Sequence, residues 1–148
     1  MQAKKILFPT DFSTVSDEAL RFATMLARDT GAKLVILHVE EPPTAYGGGD
    51  MYYGVPEPDT GALKRMLEAL KPDDANVPFE QHLVLGSPAD EIIEYAKREQ
   101  VDMIVMASHG RTGLVRFLMG SVAERVVREA PCPVVTVKAH QAALAAGS

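Results

Sequence analysis

The chain has 148 residues, 47% of them hydrophobic, with 15 Lys and Arg against 20 Asp and Glu and a formal net charge of −5. That size suits one domain around one core, and the acidic balance argues against nucleic acid or an anionic membrane surface as partner. No apolar run is long enough to cross a bilayer, the apolar stretch in the opening MQAKKILFPTDF is too short for a secretory signal, and the single cysteine, Cys132, excludes an internal disulfide and any zinc or CxxC redox spacing.

A cytoplasmic protein is therefore expected, with Cys132 filling core space between Pro131 and Pro133. Five short apolar runs rich in branched side chains predict strands: Lys5 to Phe8, Lys33 to Val39, His82 to Leu85, Asp102 to Ala107 and Val134 to Val137. The second and fourth are apolar on successive residues, the pattern of strands covered on both faces. Helices are predicted between them. The first begins near Ser16, with an apolar face of Leu20, Ala23 and Leu26 or Ala27, and stops at Gly31. The second covers Gly61 to Leu70, with Leu63, Met66, Leu67 and Leu70 as its apolar set. The third opens at Ser87-Pro88-Ala89-Asp90 with Ile92, Ile93 and Ala96 inward. The fourth opens at Ser121-Val122-Ala123-Glu124, read as a capping box, with Val122, Val126 and Val127 inward.

Strict alternation of strand and helix implies parallel strands joined by right-handed crossovers, an α/β fold with a doubly wound five-stranded parallel sheet and helices on both faces. Ligands of such sheets bind beyond the carboxyl ends of the strands, where the winding reverses. The segment Glu41 to Thr60, with four prolines, four glycines and three of the four tyrosines, reads as a long loop. Its Gly47 to Gly49 triplet resists ordering, whereas Tyr46, Tyr52 and Tyr53 offer a lid over a ligand or a docking surface. Residues 1–139 are expected to form the domain and 140–148 a frayed tail.

Two loops converge on the expected crevice. After the fourth strand comes Ser108-His109-Gly110-Arg111-Thr112-Gly113, and Gly120-Ser121 then stands at the start of the fourth helix. Helix N-termini present unpaired N–H groups and the positive end of the dipole, which suits phosphate, and glycine allows close approach. On a purely structural reading, Ser121 only caps its helix, the glycines only turn the chain and Arg111 is solvated. From the first strand come Pro9, Thr10 and Asp11; an acidic residue there can accept hydrogen bonds from a ribose or face a nucleotide-bound metal, or simply form a turn. No GxxxxGK[ST] sequence supplies a P-loop lysine, so binding is better supported than fast hydrolysis. His38, His82, His109 and His140 show no metal-ligand spacing; His38, inside a strand, reads as a core residue and His109 as a loop residue near the expected phosphates.

These residues resemble the universal stress protein family over nearly the whole chain. The resemblance rests on KKILFPTDFS, LVILHV, GSPADEII and GSVAERVVREAPCPVVTV, and on the family's pattern G-x2-G-x9-G-[ST]. That pattern appears here as Ala107-Ser108-His109-Gly110, nine residues, then Gly120-Ser121, with alanine at the first glycine. The resemblance implies strand order 3-2-1-4-5 and ATP, or else ADP or AMP, as ligand. It implies that the Val39 main chain meets adenine, that Asp11 and the main chain near Ala107 meet ribose or adenine, and that Gly110, Arg111, Gly120, Ser121 and Val122 surround the phosphates. Pro9, Thr10 and His109 complete that expected site. Magnesium is expected only with the nucleotide, near Asp11. A homodimer through the last strand, Pro133 to Lys138, is also implied, and its Val-rich edge invites pairing with its own copy.

Three functions follow: a nucleotide-binding stress-response sensor or regulator, an empty interaction module in which Ala107 has cost the nucleotide, or a slow hydrolase or self-phosphorylating protein using Ser121 or Thr112. A phosphate-accepting receiver domain is disfavoured because Gly86 stands where its aspartate is needed, and Pro9-Thr10-Asp11-Phe12-Ser13 is not an SGGxDS-like adenylation loop.

Overall fold

The computed structural model describes residues 3–42, 60–108 and 120–138. Five strands, β1 (Lys5–Pro9), β2 (Lys33–Glu40), β3 (Phe79–Leu85), β4 (Met103–Ala107) and β5 (Val134–Val137), alternate with four helices, α1 (Thr14–Thr30), α2 (Thr60–Ala69), α3 (Pro88–Arg98) and α4 (Ser121–Glu129). All strand pairs are parallel and the sheet order is β3-β2-β1-β4-β5, the order expected.

The continuous apolar runs are explained by two cores, one on each face of the sheet. Leu7, Val35, Leu37, Val39, Ile104 and Met106 pack with Ile92, Ile93 and Ala96 of α3 and with Ala123 and Val126 of α4. Their sequence neighbours Ile6, Phe8, Leu34, Ile36 and Val105 pack on the opposite face with Ala19, Leu20, Ala23 and Ala27 of α1 and Leu67 of α2. Burying each branched or aromatic side chain from water contributes about 1.5–3 kcal/mol. Cys132 packs against the first core as expected, and burial, then the nearby Asp102, pushes its thiol pKa up.

Several boundaries differ from the sequence reading. The third strand begins at Phe79, three residues early, because it is an edge strand whose polar residues need not be buried. Glu80 there pairs with Lys33 and His82, which hold its carboxyl pKa down at about 2, while Gln81 donates to the carbonyl ends of α2 at Leu67 and Leu70. The first helix begins at Thr14 with Ser13, not Ser16, as its N-cap. It stops as expected at Gly31, whose left-handed φ of 76° suits glycine. Ser121 is the first residue of α4 rather than its cap: the N-cap is Gly120 and no side chain caps the helix. Val127 is 44% exposed and Ala123 is buried in its stead: the inward face of α4 runs from Val122 through Val126 to Ala123, and Val127 lies at its edge, 100° from Val126. In α2 only Leu67 is fully buried, and Met66 faces outward. Thr60, expected in the loop, begins α2 and donates to the Glu40 carboxylate at 2.7 Å.

Candidate functional site

The connection from β1 runs outward through α1 to β2, whereas α3 returns the chain to β4 on the other side of β1. The winding therefore reverses between β1 and β4, and the crevice of a doubly wound sheet lies over their carboxyl ends. Leu7 pairs with Ile104, so three places on, Thr10 stands level with Ala107. Of the expected site, Pro9, Thr10, Asp11, Val39, Ala107, Gly120, Ser121 and Val122 are described, whereas His109, Gly110 and Arg111 lie outside the described residues, as do the three loop tyrosines and the tail.

At the end of β1 the chain turns through side-chain hydrogen bonds to its own backbone. Thr10 N–H still donates to Leu37 carbonyl oxygen at 2.9 Å, the last ladder bond with β2. Phe12 N–H then donates to Thr10 Oγ1 at 3.0 Å and Ser13 N–H to Asp11 Oδ1 at 3.0 Å, two local turns of the kind Thr and Asp favour. Phe12 adopts the left-handed region with φ of 65°, which a residue with a Cβ holds only against strain. Ser16 Oγ sits 2.8 Å from Thr10 Oγ1, and Ser13 Oγ accepts from Ser16 N–H at 3.2 Å, closing the start of α1. Thr10 and Ser16 are both buried.

The same turn leaves β2 longer than its neighbour. Residues of β2 direct their peptide groups alternately to the two sides. Leu37 bonds toward β1 and Glu40 bonds Gly86 beyond β3, so Val39, like Leu37, faces the β1 side. Continuing the β1–β2 register past Pro9 and Leu37 would require Val39 N–H to donate to Thr10 oxygen and Phe12 N–H to donate to Val39 oxygen. Instead, Phe12 N–H is taken by Thr10 Oγ1, and Thr10 oxygen accepts from His38 Nδ1 at 2.8 Å. Among the described residues nothing takes up the Val39 peptide on this side, so its N–H and carbonyl stand side by side over the end of β1.

At the end of β4, Ser108 is buried; its N–H donates to Val137 oxygen at 2.8 Å and its oxygen accepts Gly120 N–H at 2.7 Å. This bond anchors the start of α4 at the carboxyl end of β4. The Gly120 amide is thereby taken up by Ser108, which leaves the amides after it at the start of α4. The first amides of a helix have no intrahelical acceptor, and here those are Ser121, Val122 and Ala123, with Glu124 N–H the first to bond back, to Gly120. The Val122 side chain packs partly against the core, so what α4 turns outward there is its main-chain amide.

The sequence profile of the universal stress protein family matches residues 2–138. The chain belongs to the universal stress protein family. This universal stress protein is 37% identical over 146 residues to Universal stress protein MJ0531 of Methanocaldococcus jannaschii, covering 91% of this chain and 82% of that one. Its fold is similar to the solved structure of MJ0577 from the same archaeon, with a TM-score of 0.70 at 30% identity over 93% of this chain and 97% of that one. It is also similar to a universal stress protein crystallised in complex with cAMP, with a TM-score of 0.61 at 26% identity over 93% of this chain and 98% of that one.

Reading the sequence alone missed His38 as part of this region. The signal was present: one imidazole in an otherwise apolar strand, directly before Val39. Among the described residues no cluster of three His, Cys, Asp or Glu side chains has metal-site geometry, and no helix is long and apolar enough to cross a membrane.

Proposed function

We propose that this universal stress protein binds an adenine nucleotide, ATP or in its place ADP or AMP, across the carboxyl ends of β1, β2 and β4, and acts as a cytoplasmic stress-response regulator. The observation that carries the reading is the open Val39 peptide. Adenine offers an amino donor beside a ring-nitrogen acceptor, the complement of a carbonyl beside an N–H. Asp11, Thr10 and the main chain at Pro9 and Ala107 border the ribose, and the amides of Ser121 and Val122, with His109, Gly110, Arg111 and the turn at Gly120, surround the phosphates. A relative crystallised with cAMP supports the ligand class. Magnesium would be held chiefly by the phosphates, with Asp11 as the nearest carboxylate, since Mg²⁺ keeps most of its waters.

The chain is proposed to dimerise through β5. Phe22 and Met25 of α1, both 37% exposed, line a groove of about 510 Å³ with Val135 and Val137. Val137 bonds inward to Ser108 and Pro133 inward to Ile104, so Thr136 N–H faces the open edge. Thr136→Pro removes that outward donor without touching the β4 ladder, and light scattering should show it as a monomer where the wild type is a dimer.

Mass spectrometry of the gently purified protein, with calorimetric titration of ATP, ADP and AMP, tests the ligand. A co-purifying adenine nucleotide or a measurable Kd supports the reading; no binding to any of the three overturns it. Ala107, where the family pattern has glycine, favours the empty-module alternative, for which Ala107→Gly would bind and the wild type would not.

A further inference from the structure

His38 is only 6% exposed, in a strand otherwise built of Leu, Val and Ile between its charged ends, and its ring centroid lies 4.4 Å from that of Phe12. Packing alone asks for an aliphatic side chain here. A buried imidazole persists where its polar atoms are satisfied. Its Nδ1 lies 2.8 Å from the Thr10 carbonyl oxygen, and because a carbonyl only accepts, Nδ1 carries the hydrogen. That oxygen is the one Val39 N–H would reach if β1 paired one step further.

Resting on the nucleotide reading above, we propose that His38 is a positioning residue: it holds the Thr10 carbonyl away from Val39, stops the β1–β2 ladder at Pro9 and Leu37, and so keeps the Val39 peptide available to the base. A carbonyl has two lone pairs, so the block is one of direction rather than of capacity. The Phe12 ring against His38 and the Phe12 N–H on Thr10 Oγ1 turn the chain away from β2 at the same point. The left-handed backbone at Phe12 is the local strain that this arrangement sustains.

Two substitutions separate the donor from the ring. His38→Phe keeps a ring against Phe12 and loses the donor; His38→Asn keeps an N–H at the place of Nδ1 and loses the ring. NMR coupling through the hydrogen bond from Val39 N to the Thr10 carbonyl carbon reports whether the ladder has closed, and imidazole nitrogen shifts report the tautomer. The wild type should show the Nδ1–H tautomer and no such coupling. In His38→Phe the coupling should appear and the calorimetric Kd for ATP rise at least tenfold, whereas His38→Asn should remain open and bind within about threefold of wild type.

A general loss of stability would not create a new hydrogen bond at Val39. An Nε2–H tautomer in the wild type, a Val39–Thr10 coupling in the wild type, or a folded His38→Phe with neither new coupling nor weakened binding overturns the proposal. Should His38→Phe fail to fold, the wild-type tautomer and coupling, with His38→Asn, decide it alone. A wild type that binds no adenine nucleotide while showing the open ladder and the Nδ1–H tautomer removes the nucleotide reading and leaves the hold of His38 on the ladder standing.

Discussion

The β1–α1 junction and the β4–α4 junction meet at the same reversal of the sheet, and they treat their backbone groups in opposite ways. At the first, Thr10, Asp11 and Ser13 each turn a side-chain oxygen onto a nearby N–H, so the start of α1 is closed by its own chain. At the second, Gly120 offers no side chain and spends its amide on Ser108, leaving the first turn of α4 without a side-chain cap. The helix dipole is common to both. The difference teaches that two helix starts at one reversal can dispose of the same orphan amides in opposite ways, one satisfying them with its own side chains and the other leaving them uncapped. α3, away from the reversal, also lacks a side-chain cap, and Pro88 in its first turn removes one of its donors.

The sharpest way to break this contrast is at Thr10. Thr10→Val leaves the Phe12 N–H without its acceptor in a buried turn, and chemical denaturation should show a loss of about 1–3 kcal/mol. A loss below 0.5 kcal/mol, on the order of a surface change, would mean the closed junction is not held as described. Ser121→Glu should separate function from stability at the open junction. The new carboxylate at the first turn of α4 favours the helix by about 0.3–1 kcal/mol, yet should weaken ATP binding at least tenfold by repelling the phosphates. Unchanged affinity would move the phosphates away from α4. Ser13→Ala should cost the closed junction about 1 kcal/mol, the usual value of a lost N-cap, while Gly120→Ala, which has no cap bond to lose, should cost less.

Glu80 gives the smallest effect, far from either junction. Its folded pKa of about 2 lies below the ordinary 4.5, so its stabilisation is present at neutral pH and is lost as pH falls from about 4.5 toward 2. The pair is largely exposed, so Glu80→Gln should cost no more than about 1 kcal/mol at pH 7, and the gap from wild type should close near pH 2. A gap that persists there would exclude the Lys33 and His82 contacts as its source.

The architecture was legible because it rests on residue pattern: short apolar runs rich in branched side chains suit strands covered on both faces, and alternation with helices leaves few topologies. What pattern missed was partner choice. The S-x-x-E spelling of Ser121 and Glu124 matches a capping box, yet the bond from Gly120 to Ser108, twelve residues away, fixes Gly120 as the last extended residue before the helix. Ser16 likewise reads as a cap because the true cap, Ser13, sits inside a turn whose bonds run through Thr10 and Asp11. The open peptide of Val39 belongs to register, which one strand cannot declare: β1 stops pairing at Leu37, three residues before β2 ends its ladder with β3 at Glu40. His38 looked like core for the same reason, since its acceptor is 28 residues away.

The central claim places an adenine nucleotide on the Val39 peptide and the first amides of α4 together. Titrating ATP into uniformly nitrogen-15-labelled protein and following backbone amide shifts tests both contacts at once. The amides of Val39, Ser121, Val122 and Ala123 should shift along a single saturable curve, with those at the opposite end of the sheet, such as Lys33 and Asp102, unmoved. Saturable shifts that leave Val39 and the α4 amides still would contradict the account.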